Sequence, residues 1–154
     1  MATEKWVAGV VGLTWANAFT GSTLNSIASG NAIQSDLNLD NSSNLDMFMD
    51  ISIVLASAAF IAPNYIGVYV HPLNEDGSTY GDGRFGSSAA GPPSACYYVG
   101  KVDLVAATQA QEGTLRGVLM PPGQFKIVLH NQGGVALASS GNVCKYRTYN
   151  RSVA

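Results

Sequence analysis

The sequence is short of charge. Asp, Glu, Lys and Arg make up 12% of the 154 residues, about half the share found in a typical soluble domain. The net charge is −2, which provides no basic field to attract nucleic acid. A surface with so few charges must be covered either by Ser, Thr, Asn and Gly or by other subunits. We therefore expect no nucleic-acid partner.

Cysteines and long apolar runs are scarce as well. Cys96 and Cys144 lie in no CxxC or Cys/His cluster, which excludes a disulfide framework and a zinc site. Two reduced, buried thiols are the favoured interpretation, and a disulfide stays open if their strands are neighbours. The apolar run 51–62 is far shorter than the ~20 residues that cross a bilayer. The apolar stretch 6–19 lacks a positively charged start, so we expect neither a membrane partner nor a signal peptide.

Catalytic motifs are missing too. The chain contains no GxSxG elbow, no HExxH pair and no phosphate loop ending in Lys-Ser/Thr. His71 and His130 fall on strand faces opposite the apolar ones, where a solvated or hydrogen-bonded imidazole is usual. A Ser/His/Asp triad built from distant positions stays open, although no pattern indicates one. We predict a protein that is not an enzyme and has no cofactor.

Asp and Asn are dense between Asp36 and Asp50. Such oxygens could bind calcium, which takes about six to eight of them. The spacing fits no EF-hand, because it has neither the central Gly nor the closing Glu. Turns and caps at strand entries are the favoured explanation. We predict no metal site and keep calcium as a minor alternative.

What the sequence does contain is short alternating segments. Residues 46–55 place Met47, Met49, Ile51, Ile53 and Leu55 on one face. Further strands are predicted over 66–71, 96–104, 125–130 and 143–149, with weaker signals over 32–39 and 115–119. Residues 103–112 suit either a helix or a strand. Six to eight short strands between Gly, Pro, Asn and Ser clusters predict an all-β fold, namely an antiparallel β-sandwich of jelly-roll-like type with long loops and an extended N-terminal segment.

The predicted domain organisation is simple. Residues 24–154 form a single β-sandwich domain, and residues 1–23 form an N-terminal arm or first strand. An arm that packs on a neighbour and a start that folds onto its own sandwich both stay open. The Gly- and Ser-rich segment 76–94 is predicted to be a long loop, and loops of that length tend to be functional or mobile.

Tyrosines are placed on the presumed outer faces and in the long loop. Tyr combines apolar area with a polar tip, so it is enriched at protein interfaces and also suits stacking on sugar rings. Cross-strand tyrosine pairing that supports the sheet is the alternative. The residues concerned, together with one Phe, are Tyr65, Tyr69, Tyr80, Phe85, Tyr97, Tyr98, Tyr146 and Tyr149.

Three segments carry a resemblance to a known group of proteins. LDNSSNLDMFMDI (39–51), GVYVHPLNEDG (67–77) and the closing segment 121–150 resemble small virion structural proteins of tailed bacteriophages, over about residues 24–150. The resemblance implies a jelly-roll capsid decoration (cement) protein at the virion capsid surface, made in the host cytoplasm. Its partners would be major capsid protein subunits and copies of itself. The alternative is a carbohydrate- or host-receptor-binding module on a phage fibre, with host glycan as partner.

The sequence also suggests which side chains would contact a partner. Large aromatic side chains that fill a pocket are the usual anchors of an interface. The N-terminal aromatics and the aromatic part of the long loop are the candidates for this role. They are Trp6, Trp15 and Phe19 in the first segment and Tyr80, Arg84 and Phe85 in the second.

Overall fold

The computed structural model describes residues 4–9, 13–61, 64–81, 89–92 and 94–153. This part of the chain is all-β and contains eleven strands. It has no helix of the length and apolarity that a membrane crossing requires. In chain order the strands are β1 (Glu4–Ala8), β2 (Ala16–Asn17), β3 (Asn31–Gln34), β4 (Leu39–Asp40), β5 (Phe48–Ala59), β6 (Asn64–Pro72), β7 (Ala89–Ala90), β8 (Tyr97–Leu104), β9 (Thr108–Leu119), β10 (Gln124–Gln132) and β11 (Val143–Val153).

The strands form two antiparallel sheets. The five-stranded sheet has the order β1-β11-β5-β9, with β2 also paired to β11. The six-stranded sheet has the order β7-β3-β10-β6-β8, with β4 also paired to β10. Eight of these strands have four or more residues. Taken in chain order, the first of them pairs with the eighth, the second with the seventh, the third with the sixth and the fourth with the fifth. Such nesting is a long hairpin rolled into two sheets, so the predicted jelly-roll-like β-sandwich is confirmed.

The core lies between the facing sides of the two sheets. Met49, Ile51, Ile53 and Leu55 of β5 are all buried there, as their alternation predicted. They pack against apolar residues of β6 and β10, which include Ile66, Val68, Val70, Phe125, Ile127 and Leu129. Met47 is the exception, because it precedes β5 and is 48% exposed.

The N-terminal segment is part of the sandwich. β1 pairs with β11 from Glu4↔Val153 to Ala8↔Tyr149. β2 pairs with the same strand, and Ala18 directly after β2 is fully buried. Of the two interpretations left open, the structure has the first strand folded onto its own sheet and not a free arm.

The structure refines two of the predicted segments. β9 begins at Thr108, so the ambiguous stretch 103–112 is divided between the end of β8 and the start of β9. Pairing with β5 supplies hydrogen bonds that outweigh the helical preference of its Ala and Gln. The long loop 76–94 contains β7, a short strand paired with β3.

Asp40, in the Asp- and Asn-rich segment, makes a turn of the kind expected there, and Asp76 makes a similar turn outside that segment. Asp40 Oδ1 accepts from Ser42 N at 2.8 Å, and Asp76 Oδ1 accepts from Ser78 N at 2.9 Å. Hydrogen bonds from the Thr79 hydroxyl and from the backbone N–H groups of Ser78 and Thr79 lower the pKa of Asp76 from 3.8 to about 2. Within the described residues no group of three or more His, Cys, Asp or Glu is arranged to hold a metal ion.

The two cysteines are not bridged. Cys144 lies on β11 with its side chain in the core, and this burial raises the pKa of its thiol. Cys96 precedes β8 and is half-buried. The prediction of a reduced core thiol is therefore confirmed for Cys144, while Cys96 lies nearer the surface than expected.

Candidate functional site

The outer face of the five-stranded sheet carries a buried carboxylate. Asp50 lies on β5 directly opposite Arg147 of β11, and its side chain is 4% exposed. Arg147 donates to Asp50 Oδ2 from Nε at 3.0 Å and from Nη2 at 2.8 Å. The Tyr149 hydroxyl donates to Asp50 Oδ1 at 3.0 Å. Pairing of β5 with β11 thus places donors from β11 around this carboxylate.

A break in the register of β9 supplies a further donor. Between Met49 and Ile51 the partner positions on β9 jump from 118 to 115, so Arg116 and Gly117 together oppose Asp50. Gly117 has φ +67°, a left-handed conformation that glycine adopts without strain. Its N–H donates to Asp50 Oδ1 at 3.1 Å. The bulge therefore turns the backbone of β9 towards the carboxylate.

The cluster is ionised and carries an excess of positive charge. Burial raises the pKa of Asp50, but the hydrogen bonds from Arg147, Gly117 and Tyr149 outweigh it and hold the pKa below 3.8. Arg116 Nη1 lies 3.6 Å from Asp50 Oδ2, and the Arg116 side chain is 69% exposed. One carboxylate therefore faces two guanidinium groups, and only Arg147 is held tightly.

Aromatic rings stand beside this cluster. Tyr149 and Phe48 are opposite each other on β11 and β5, and their rings stack with centroids 5.7 Å apart. The Trp6 ring of β1 is nearly perpendicular to both, with its centroid 5.3 Å from that of Tyr149 and 6.1 Å from that of Phe48. The Trp15 ring lies 4.9 Å from the Arg147 guanidinium. Trp6 stays 67% exposed, so its ring is accessible to a partner.

A pocket of about 560 Å³ opens between these groups, and it is lined by Trp6, Leu13, Asp50, Arg116, Gly117, Arg147 and Tyr149. Gly117 is shared with a second cleft of about 480 Å³. Leu119 lies opposite Phe48, lines that cleft and is 68% exposed. We call this region the Trp6 surface, defined by Trp6, Leu13, Phe48, Leu119 and Tyr149 around Asp50, Arg116 and Arg147.

The three N-terminal residues predicted as anchors lie in different environments. Trp6 belongs to the Trp6 surface, and Trp15 borders it through Arg147. Phe19 is 7% exposed and belongs to the core of the sandwich. Its ring fills the protein's own interior, because the chain turns inward after β2, so Phe19 is not available as an anchor for a partner.

The predicted anchors of the long loop lie elsewhere. Tyr80 packs on the outer face of the six-stranded sheet, with its ring centroid 5.3 Å from that of His71. Lys126 Nζ lies 5.3 Å from the Tyr80 ring, and Tyr80 is half-buried. The structure does not bring it to the Trp6 surface. Arg84 and Phe85 lie outside the described residues.

His71 and the tyrosines of β6 and β8 support the six-stranded sheet. His71 is buried, and its Nδ1 lies 3.3 Å from Gln34 Oε1, so the imidazole is hydrogen-bonded and not solvated. Tyr69 and Tyr98 are opposite each other and pack edge to face at 5.3 Å. The cross-strand interpretation therefore holds for this pair.

The ionic half of the Trp6 surface was not predicted from sequence. Asp50 ends the Asp- and Asn-rich segment for which turns or calcium were considered, and Arg147 lies in the predicted strand 143–149 with no role assigned to it. Both lie on outward positions of their strands, and that alternation was the available signal. Their contact depends on the register between β5 and β11, which neither segment specifies by itself.

No protein-family model matches the chain, and no curated protein sequence matches it.

Proposed function

We propose that this protein is a non-enzymatic virion structural protein. It acts as a capsid decoration (cement) protein that binds and stabilises the phage head through the Trp6 surface. One observation carries the proposal: exposed aromatic and aliphatic side chains are grouped around a fixed ion cluster, in a chain with only 12% charged residues. Contiguous exposed apolar area of this kind typically marks an interaction site.

The composition of the Trp6 surface fits a protein partner. Trp, Tyr and Arg are the residue types that most often dominate binding energy at interfaces, and the surface offers Trp6, Tyr149 and Arg116. Tyr149 is fixed by its hydrogen bond to Asp50 and by stacking on Phe48. Side chains that are already ordered lose little entropy on docking, so more of the contact energy appears as affinity.

The alternative is a carbohydrate- or host-receptor-binding module, and the same pocket favours it. Its volume of about 560 Å³ lies within the range of about 300–1,000 Å³ that is usual for small-ligand sites. The exposed ring of Trp6 offers a stacking face for a sugar, and Arg116 offers a loosely held cation. A sugar that bears a carboxylate would fit this combination best.

Two binding measurements separate the proposals. In the first, the purified protein is co-sedimented with phage heads that lack it. We expect binding, and we expect Trp6→Ala to weaken it by about tenfold or more, as for a central anchor. Tyr98→Ala is the matched control, because Tyr98 is 56% exposed but lies on the other sheet; its effect should be small.

The second measurement is a glycan array with the same three proteins. Glycan binding that is lost in Trp6→Ala, together with no binding to heads, would replace the decoration proposal with the receptor-binding one. Head binding that survives Trp6→Ala but is lost in Tyr98→Ala would move the interface to the six-stranded sheet.

A further inference from the structure

β9 forms an open edge of the five-stranded sheet. It is twelve residues long and within the described residues it pairs only with β5. An edge strand of this length presents a row of backbone N–H and C=O groups that can pair with another strand. The side chains of β9 determine which strand can pair with it.

The two faces of β9 are clearly distinguished. A Cβ placed on Gly113 would lie 2.5 Å from Val102 Cγ1, and Leu115 packs against Gly100, so these positions face the core. Glu112, Thr114 and Arg116 alternate with them and are exposed. The outward-facing residues of β9 are therefore acidic, neutral and basic in chain order.

This row is complementary to itself in one orientation. When two copies of β9 run antiparallel and Thr114 lies opposite Thr114, Glu112 of each copy faces Arg116 of the other. Residues directly opposite in an antiparallel pair lie on the same face and interact, and opposite charges there are stabilising. A parallel arrangement would not bring these charges together.

We propose that β9 pairs with β9 of a second copy of this chain about a twofold axis at Thr114, which joins the two five-stranded sheets into one. The loose 3.6 Å contact between Arg116 and Asp50 and the exposure of Arg116 leave its guanidinium able to reach Glu112 of the second copy. The bulge at Arg116–Gly117 limits regular pairing to a stretch centred on Thr114.

The pairing has a consequence for the Trp6 surface, although it does not depend on the decoration function. An antiparallel edge-to-edge pair keeps the same side of both sheets facing the same way. Two Trp6 surfaces would therefore point towards one target. Two linked sites bind a repetitive target more tightly than either alone when the geometry allows both to engage.

A charge-swap experiment tests the pairing. Sedimentation velocity of the full chain over a concentration series should show a dimer. Glu112→Arg places an arginine opposite Arg116 at both ends of the symmetric pair. This repulsion should weaken dimerisation by about tenfold or more. The double variant E112R/R116E restores opposite charges and should recover the dimer. A monomeric parent, or a dimer that is insensitive to E112R, would overturn the proposal.

Cross-linking tests the axis itself. Directly opposite residues of an antiparallel pair have Cα atoms about 4.5–5.5 Å apart, within the range that a disulfide spans. Thr114→Cys should therefore form a covalent dimer under mild oxidation, in excess of any formed by the parent through Cys96. Lys145→Cys, exposed on β11 away from the edge, should not. Equal cross-linking of both variants would contradict the assigned axis.

Discussion

At the scale of single residues, Asp50 holds the Trp6 surface together. Its carboxylate accepts from Arg147, Tyr149 and the backbone of Gly117. Asp50→Ala would leave a partly buried guanidinium without its counter-charge, and we expect a loss of about 3 kcal/mol in the free energy of unfolding. Urea denaturation followed by tryptophan fluorescence measures it. The control is Asp103→Ala, which breaks the exposed pair with Lys101 and should change the urea midpoint far less.

The same residue gives a pH dependence with a definite sign. Because the pKa of Asp50 is lowered in the folded state from 3.8, the unfolded state binds its proton first as the pH falls. The stability that Asp50 contributes is therefore complete well above pH 3.8 and is lost as the pH falls from there through the folded-state pKa. We expect the difference between the parent and Asp50→Ala to shrink over this range. A difference that stays constant down to pH 3 would contradict the assigned ion pair.

At the scale of strands, local alternation predicts what one face must bury. Met49, Ile51, Ile53 and Leu55 were placed correctly from sequence because they recur at every second position and one face of β5 meets the core. β9 was predicted only in part: its start lies in the ambiguous stretch 103–112 and its end in the weak strand signal over 115–119. Its Ala, Gln and Gly residues have weak strand preference and are held there by β5. The contact of Asp50 with Arg147 joins residues 97 positions apart, and no local pattern encodes it.

Close packing between β8 and β9 explains why position 113 is glycine. A Cβ at Gly113 would lie 2.5 Å from one Val102 methyl carbon and 2.9 Å from the other, and a β-branched side chain has little freedom to move away. Gly113→Ala should therefore cost about 1–3 kcal/mol, the usual range for overpacking. Urea denaturation of the single variant measures this cost.

A double-mutant cycle identifies the cause. Val102→Ala removes the two methyl groups that Gly113→Ala would strike, so the two changes together should cost at least about 1 kcal/mol less than the sum of the single changes. Additive costs would mean that the strain at position 113 comes from the backbone of β9 and not from its contact with β8.

At the scale of the whole molecule, the nested pairing makes the fold depend on both ends of the chain. β1 lies at the edge of the five-stranded sheet, whereas β11 lies between β1 and β5 and also pairs with β2. Most contacts join residues far apart in sequence. Folds of this kind close large loops before their contacts stabilise them, and they refold in about milliseconds to seconds.

Two truncations of this protein should therefore behave differently. A chain that ends at Asn142 lacks β11, exposes the pairing edge of β5 and removes Cys144 from the core, so we expect far-UV circular dichroism of an unfolded or aggregated chain. A chain that starts at Leu13 lacks the edge strand β1 and, with it, Trp6. It should keep its sheet signal with a lower urea midpoint, and under the proposed function it should not bind phage heads. Cooperative folding of the chain that ends at Asn142 would contradict the central role of β11. If instead the chain that starts at Leu13 fails to fold, β1 is required for folding because it covers the edge of β11.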